Sequence, residues 1–307
     1  MENMKVHKKS LLKRILEHWV VYLFLAPAVL YIAIFCYGPM YGIQIAFRDY
    51  TIIEGITGSE WVGLDWFQRF FQSRMFGKIL PNTLILSVYS LVAGFPMPIV
   101  LALMLNYAAD KFKRVIQTAS YLPHFISTVV MVGMVVAFLS PQNGFVNTII
   151  KFFTGNTVYF MGKPEYFRHV YVWSGVWQGV GWGAIIYVAA LSSVSPELHE
   201  AAIIDGATIL KRMRHIDIPC IMPTMVILLI LNFGSIMGVG FEKVYLMQNA
   251  LNGDTSEVIA TYTYKMGLID QNFSYSSAIG LFNNVVNFIL LVLVNKIADK
   301  LTGTSLW

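Results

Sequence analysis

The chain has 307 residues, of which 56% are hydrophobic and only 13% charged, with a mean hydropathy of +0.61 and a formal net charge of +5. A soluble domain is ordinarily about one quarter charged, so this composition excludes a water-soluble enzyme and points to an integral membrane protein. Two cysteines, Cys36 and Cys220, fall in or beside different apolar runs on opposite sides of the bilayer, which excludes a disulfide framework and any metal-ligand spacing.

A hydrocarbon core of about 30 Å needs about 20 apolar residues in a helix. Six runs meet that length: 19–47, 84–106, 119–139, 170–191, 225–247 and 276–295. The expected fold is therefore an all-α membrane domain with six transmembrane helices over 19–295, and an outer-membrane barrel of alternating short strands is excluded. Lys5, Lys8, Lys9, Lys13 and Arg14 precede the first run as in a secretory signal, but the run is too long for such a signal and no small-residue cleavage site follows. It is read as a retained span behind a cytoplasmic segment, 1–18.

Orientation follows from basic residues. With the N-terminus inside, the cytoplasmic segments hold 13 Lys and Arg against nine outside, while the acids divide eight to nine, so the whole +5 (13 minus 8) lies on the inner side. Both termini, including the tail 296–307, are expected in the cytoplasm. The basic balance reflects topology rather than affinity for nucleic acid.

The first outer loop, 48–81, contains LDWFQRFFQSRMF, in which Trp66, Phe67, Phe70 and Phe71 alternate with Gln68, Arg69 and Gln72. This predicts an amphipathic helix at the outer interface. In the second run Pro96 and Pro98 interrupt the apolar pattern, and in the fifth Gly234, Gly238 and Gly240 loosen it. Such breaks fit either a pathway lined by freed backbone groups or close helix packing.

Between the fourth and fifth runs lies SPELHEAAIIDGATILKRMRHIDIPCIMP, 195–223, which carries more charge than its surroundings. Ser195 and Pro196 open a helix, with Glu197 in its first turn, running to about Ile204. Asp205 and Gly206 supply a turn, with Asp205 capping a second, basic helix from Ala207 to about Arg214 that Pro219 stops. A short helix pair under the membrane is expected.

The spacing of Glu200, Ala201, Ala202, Asp205, Gly206, Ala207, Ile216, Pro219 and Pro223 resembles the EAA loop of binding-protein-dependent ABC importers; Met213 stands where that family often has an aromatic residue. LFLAPAVLYIAIFCYGPMYGIQIAFRDY, GLDWFQRFF, NTLILS and SEVIATYTYKMGLIDQNFSYSSAIGLFNNVVN are similar to permeases of carbohydrate importers, in particular the Gram-positive group that takes up oligosaccharides or polysaccharide fragments. The resemblance implies a type I importer-like permease in the cell membrane, paired with a second, similar permease. It also implies two copies of an ATPase that bind ATP and Mg, and an extracellular lipid-anchored solute-binding protein. In that setting the first helix of the insert couples to the ATPase, with Glu200 offered to a basic partner and Gly206 permitting the turn.

Sugars need hydrogen-bonding groups and aromatic faces. Candidates are Trp173, Trp177, Gln178 and Trp182 on the fourth span, Asn232 and Ser235 on the fifth, and Asn283, Asn284 and Asn287 on the sixth. They are expected either to line a translocation cavity or to bridge helices and form an interfacial belt. Glu242 and Lys243 are read as a pair at the outer end of the fifth span, a gate or a plain surface pair.

No G-x-x-x-x-G-K-[ST] loop occurs, so the chain is expected to bind no cofactor of its own and to take power from a partner. His7, His18, His124, His169, His199 and His215 are scattered and suggest no metal centre. An importer of another solute, or an ion-coupled secondary transporter, is the alternative; the latter would place acids or bases near the span centres, and none is there.

Overall fold

The structure, a computed structural model, describes residues 17–306, so the lysines of the N-terminal segment lie outside the described residues. Among those described, five helical stretches are long and apolar enough to span a bilayer: Trp19–Phe47, Phe76–Tyr107, Pro164–Ser192, Ile209–Gly234 and Phe273–Thr302. A bent pair, Asp110–Phe125 with Thr128–Phe138, makes a sixth if counted as one span.

The first span starts as α1 (Trp19–Tyr31) and tightens through a 3₁₀ stretch, Gly38–Phe47. Its apolar side chains are almost all exposed, as suits a helix whose solvent is lipid. A two-stranded antiparallel ladder follows, β1 (Arg48–Asp49) on β2 (Glu60–Trp61), and leads into α2 (Asp65–Gln72). The predicted amphipathic helix is present, but its apolar face is not given to lipid alone. Phe70 is fully buried in a cluster with Ile79, Met237, Ile259, Tyr275 and Ile279, which docks α2 on the last span.

The second span starts eight residues earlier than predicted and consists of α3 (Phe76–Gly94) and α4 (Pro96–Tyr107). Phe95 between them keeps helical angles, so Pro96 opens a new first turn without ending the span.

The third run departs from expectation. α5 (Asp110–Tyr121) continues as a short 3₁₀ turn to Phe125; the chain then bends by 104° into α6 (Thr128–Phe138), where Ser127 Oγ caps by accepting from Val130 N at 3.4 Å. α7 (Phe145–Thr154) and the 29-residue α8 (Pro164–Ser192) follow.

The insert also differs. α9 (Pro196–Ile204) is as predicted, but Ser195 makes no side-chain cap, and Asp205 ends α9 instead of starting the next helix. Thr208 is the cap, its hydroxyl accepting from Lys211 N at 3.5 Å. The basic helix α10 (Ile209–Arg212) does not stop at Pro219. A π turn, Met213–Asp217, joins it to α11 (Ile218–Gly234), so the second member of the expected pair is the base of the fifth span. The wider π turn relieves the missing N–H and ring clash that a proline imposes on an α-helix.

The expected fifth span, 225–247, is broken. α11 ends at Gly234, an irregular stretch follows, and α12 (Phe241–Met247) begins after Gly240. α13 (Ile259–Tyr264) leads to the last span, α14 (Phe273–Thr302), capped by Asn272 Oδ1 and closed by Gly303 in the left-handed conformation. Of the three glycines, Gly234 serves packing, since a Cβ there would meet Leu291 Cδ1 at 3.0 Å, whereas Gly238 and Gly240 border a cavity. Cys36 and Cys220 are both exposed and free.

Candidate functional site

Two sites stand out, an exposed helix with its joint and a cavity between spans. On α9, Glu200, Ala201, Asp205 and Gly206 are exposed and Ala202 and Ala207 half-buried. Ile204 is 85% exposed, with Leu198, Ile203, Ile209 and Leu210 exposed nearby, an apolar surface left uncovered by the described residues. The turn after it is closed by Gly206 N donating to Ile203 O at 3.0 Å and Ala207 N donating to Ala202 O at 2.8 Å. This Schellman arrangement needs the left-handed angle, and Gly206 supplies it with φ of 72°.

The opposite side of α9 is anchored. Asp217, fully buried, accepts a hydrogen bond from the Tyr107 hydroxyl at 2.7 Å. Its other oxygen lies 3.2 Å from His199 Nε2, an ion-pair distance without the angle of a directed hydrogen bond. The Arg212 guanidinium sits over the Tyr107 ring at 5.2 Å. Asp217 and Tyr107 together thus gather α9, α10, the end of α4 and the foot of α11. Met213 is half-buried and packs against the core cluster of Ile99, Tyr187 and Ile221; Ile216 is half-buried and Pro219 exposed.

Above the joint, α3, α4, α8 and the broken fifth span enclose a cavity of about 510 Å³. Its wall on α8 is made by Gly175, Gly179 and Gly183, spaced one helical turn apart, which leave the volume that side chains would fill. Gln178, Asn232 and Ser235 are among the residues that line it. Gln178 Nε2 donates to Ile126 O at 2.9 Å, at the bend of the third run, and Asn232 Nδ2 to Leu228 O at 2.7 Å. Ser87, missed by sequence reasoning, also lines it, and its buried hydroxyl has no partner.

The other six candidates lie outside this cavity. Trp173 donates to the Tyr89 hydroxyl at 3.0 Å, Trp182 stacks on His124 with centroids 4.4 Å apart, and Trp177 is half exposed. Asn284 is exposed, and Asn283 Oδ1 is buried without a partner. Asn287 Oδ1 accepts from Met237 N at 2.9 Å, satisfying a backbone group that the break in the fifth span sets free.

Glu242 and Lys243 do not pair. Glu242 is exposed, while Lys243 turns inward, its Nζ donating to Tyr171 O at 2.8 Å and lying 4.6 Å from the centre of that ring. A Cβ on Gly175 would come within 3.0 Å of this ammonium group, so the glycine makes its seat.

At the far end from α9, polar contacts tie the loops. Arg168 donates to Asn82 Oδ1 at 2.8 Å, Lys265 pairs with Glu257 at 2.6 Å, and Lys78 pairs with Asp254 at 2.7 Å. The hydrogen bond and charge of Lys78 hold the Asp254 carboxyl below its usual range.

The chain is 43% identical over 297 residues to the polygalacturonan/rhamnogalacturonan transport system permease protein YteP of Bacillus subtilis (strain 168), covering 96% of this chain and 92% of that one. A chain of a bacterial ABC transporter involved in the import of the acidic polysaccharide alginate superposes with a TM-score of 0.89 at 40% identity, covering 96% of this chain and all of that one. The same holds for a structure of the bacterial alginate ABC transporter in complex with an alginate pentasaccharide-bound periplasmic protein, with a TM-score of 0.90, 40% identity and coverage of 97% and 100%. Residues 94–303, from the end of α3 through α14, match the binding-protein-dependent transport system inner membrane component family, and the chain belongs to that family.

Proposed function

We propose that this chain is one of two similar permease subunits of an ABC importer that carries oligosaccharides across the cytoplasmic membrane of a Gram-positive bacterium. The observation that carries the reading is α9: an exposed helix with an uncovered apolar surface, set on a glycine turn and anchored from behind to the spans around a polar cavity. In this reading the termini and α9 are cytoplasmic. α9 seats in a cleft of the ATPase subunit, Ile203 and Ile204 giving apolar contact and Glu200 meeting a basic group. The partner ATPases, two copies, bind ATP and Mg, and their closure moves the spans between inward-open and outward-open states. An extracellular lipid-anchored solute-binding protein delivers the sugar. The names of YteP and of the alginate importer support polysaccharide fragments as cargo.

Affinity purification from mildly solubilised membranes tests this, with stoichiometry measured by mass spectrometry. One second permease and two ATPase subunits are expected with the native chain. Glu200→Lys or Gly206→Pro should remain in the membrane but lose the ATPase and sugar uptake, because truncating or reversing one partner of an interfacial charge pair costs about 2–5 kcal/mol. Recovery of the chain alone, or normal uptake with either change, would refute the coupling assignment.

A further inference from the structure

We infer that Lys243 is a specificity-determining residue inside the cavity, placed to receive the carboxylate of an acidic sugar unit as it passes through the permease. The inference rests on the reading of the chain as an oligosaccharide permease and adds the charge class of the cargo and the group that reads it. Lys243 is the one charged residue in the wall of the cavity among the described residues, and it forms no ion pair with any of them. The neighbouring Glu242, which could have neutralised it, is exposed and makes no ion pair with it. Burying a cation without an anion is unfavourable, and such groups in membrane proteins mark pathways for charged cargo.

The geometry leaves the ammonium group available. Of its three N–H donors one goes to Tyr171 O, and the Tyr171 ring lies against one side. Gly175 makes room for the ammonium group, which a Cβ there would meet at 3.0 Å, and no other acceptor among the described residues takes its remaining donors. The Ser87 hydroxyl, buried and unpartnered in the same wall, suits a sugar hydroxyl, as do Gln178 and Asn232. A uronic acid unit presents this combination: one carboxylate and several hydroxyls on a ring. A neutral hexose offers only the hydroxyls and leaves the lysine uncompensated.

The test uses the complete importer, with its second permease, ATPases and binding protein, in proteoliposomes. Uptake of trigalacturonate is compared with uptake of its fully methyl-esterified form, which has the same shape without charge. The native importer is expected to take up the acid at least tenfold faster than the ester. Lys243→Gln should lower acid uptake by roughly 10- to 100-fold while lowering ester uptake far less, and Lys243→Arg should restore most of the loss. Native uptake of the ester but not of the acid would overturn the inference, as would equal losses for both probes in Lys243→Gln. Equal impairment by Arg and Gln, the mark of a packing role, would overturn it as well. Failure of the native importer to move either sugar would refute the oligosaccharide reading itself.

Discussion

Removing Asp217 should loosen the joint under α9, and the size of the effect can be worked from its contacts. Replacing it with Ala leaves the half-buried Tyr107 hydroxyl, now 2.7 Å from its acceptor, without that partner, which costs about 1–3 kcal/mol. The facing His199 Nε2, at 3.2 Å, loses the carboxylate beside it as well, and its Nδ1 has no hydrogen-bond partner among the described residues. Together these place the Ala variant at the upper end of that range, about 3 kcal/mol. Asn at 217 keeps an oxygen for Tyr107 and nearly the same volume, so about 1–2 kcal/mol is expected. For a chain of this size about 2 °C follows each kcal/mol, which places the Ala variant about 6 °C or more below the native protein and the Asn variant between them. Tryptophan fluorescence of the purified complex during heating is the appropriate assay; a thiol-reactive dye would label the exposed Cys36 and Cys220 before unfolding. An Ala variant melting with the native protein would refute the joint, and so would an Asn variant as damaged as Ala.

Single contacts elsewhere make comparable demands. Asn287→Ala should cost about 1–3 kcal/mol by orphaning Met237 N, whereas Asn283→Ala, which removes an Oδ1 that accepts no hydrogen bond, should change melting little; a raised KM for sugar without lower stability in either variant would instead place that residue in the cargo path. Gly181→Val should destabilise by about 1–3 kcal/mol or more, because a Cβ there occupies the place of the Ser120 carbonyl where α8 crosses α5; unchanged melting and yield would show that the helices do not approach this closely.

What the sequence made legible was local or compositional. Span number, the extent of α9 and the turn at Gly206 each depend on apolar length, a first-turn proline or a glycine, all visible in a short window. The 104° bend between α5 and α6 was not legible, because hydropathy sums the apolar residues on both sides of Ser127 and does not register direction. The break after Gly234 was hidden in the same way, since the window 225–247 stays apolar on average even though α12 carries Glu242 and Lys243. Among cargo candidates, attention to the large aromatics Trp173, Trp177 and Trp182 drew weight away from Gly175, Gly179 and Gly183. Their four-residue period was the available signal for the cavity wall. Nothing near Asp217 in the sequence announces that it is fully buried; its partners lie 110 residues away at Tyr107 and one helix back at His199.

The continuity from α10 through the π turn into α11 makes residues 209–234 a single lever arm. At 1.5 Å per residue its 26 residues span about 39 Å, with the fulcrum end beside α9 and the free end at Asn232 and Ser235 in the cavity wall. A tilt of about 10° at the foot would therefore sweep the tip through about 7 Å, so that in the proposed reading a small swing of α9 is geared up at the cavity wall.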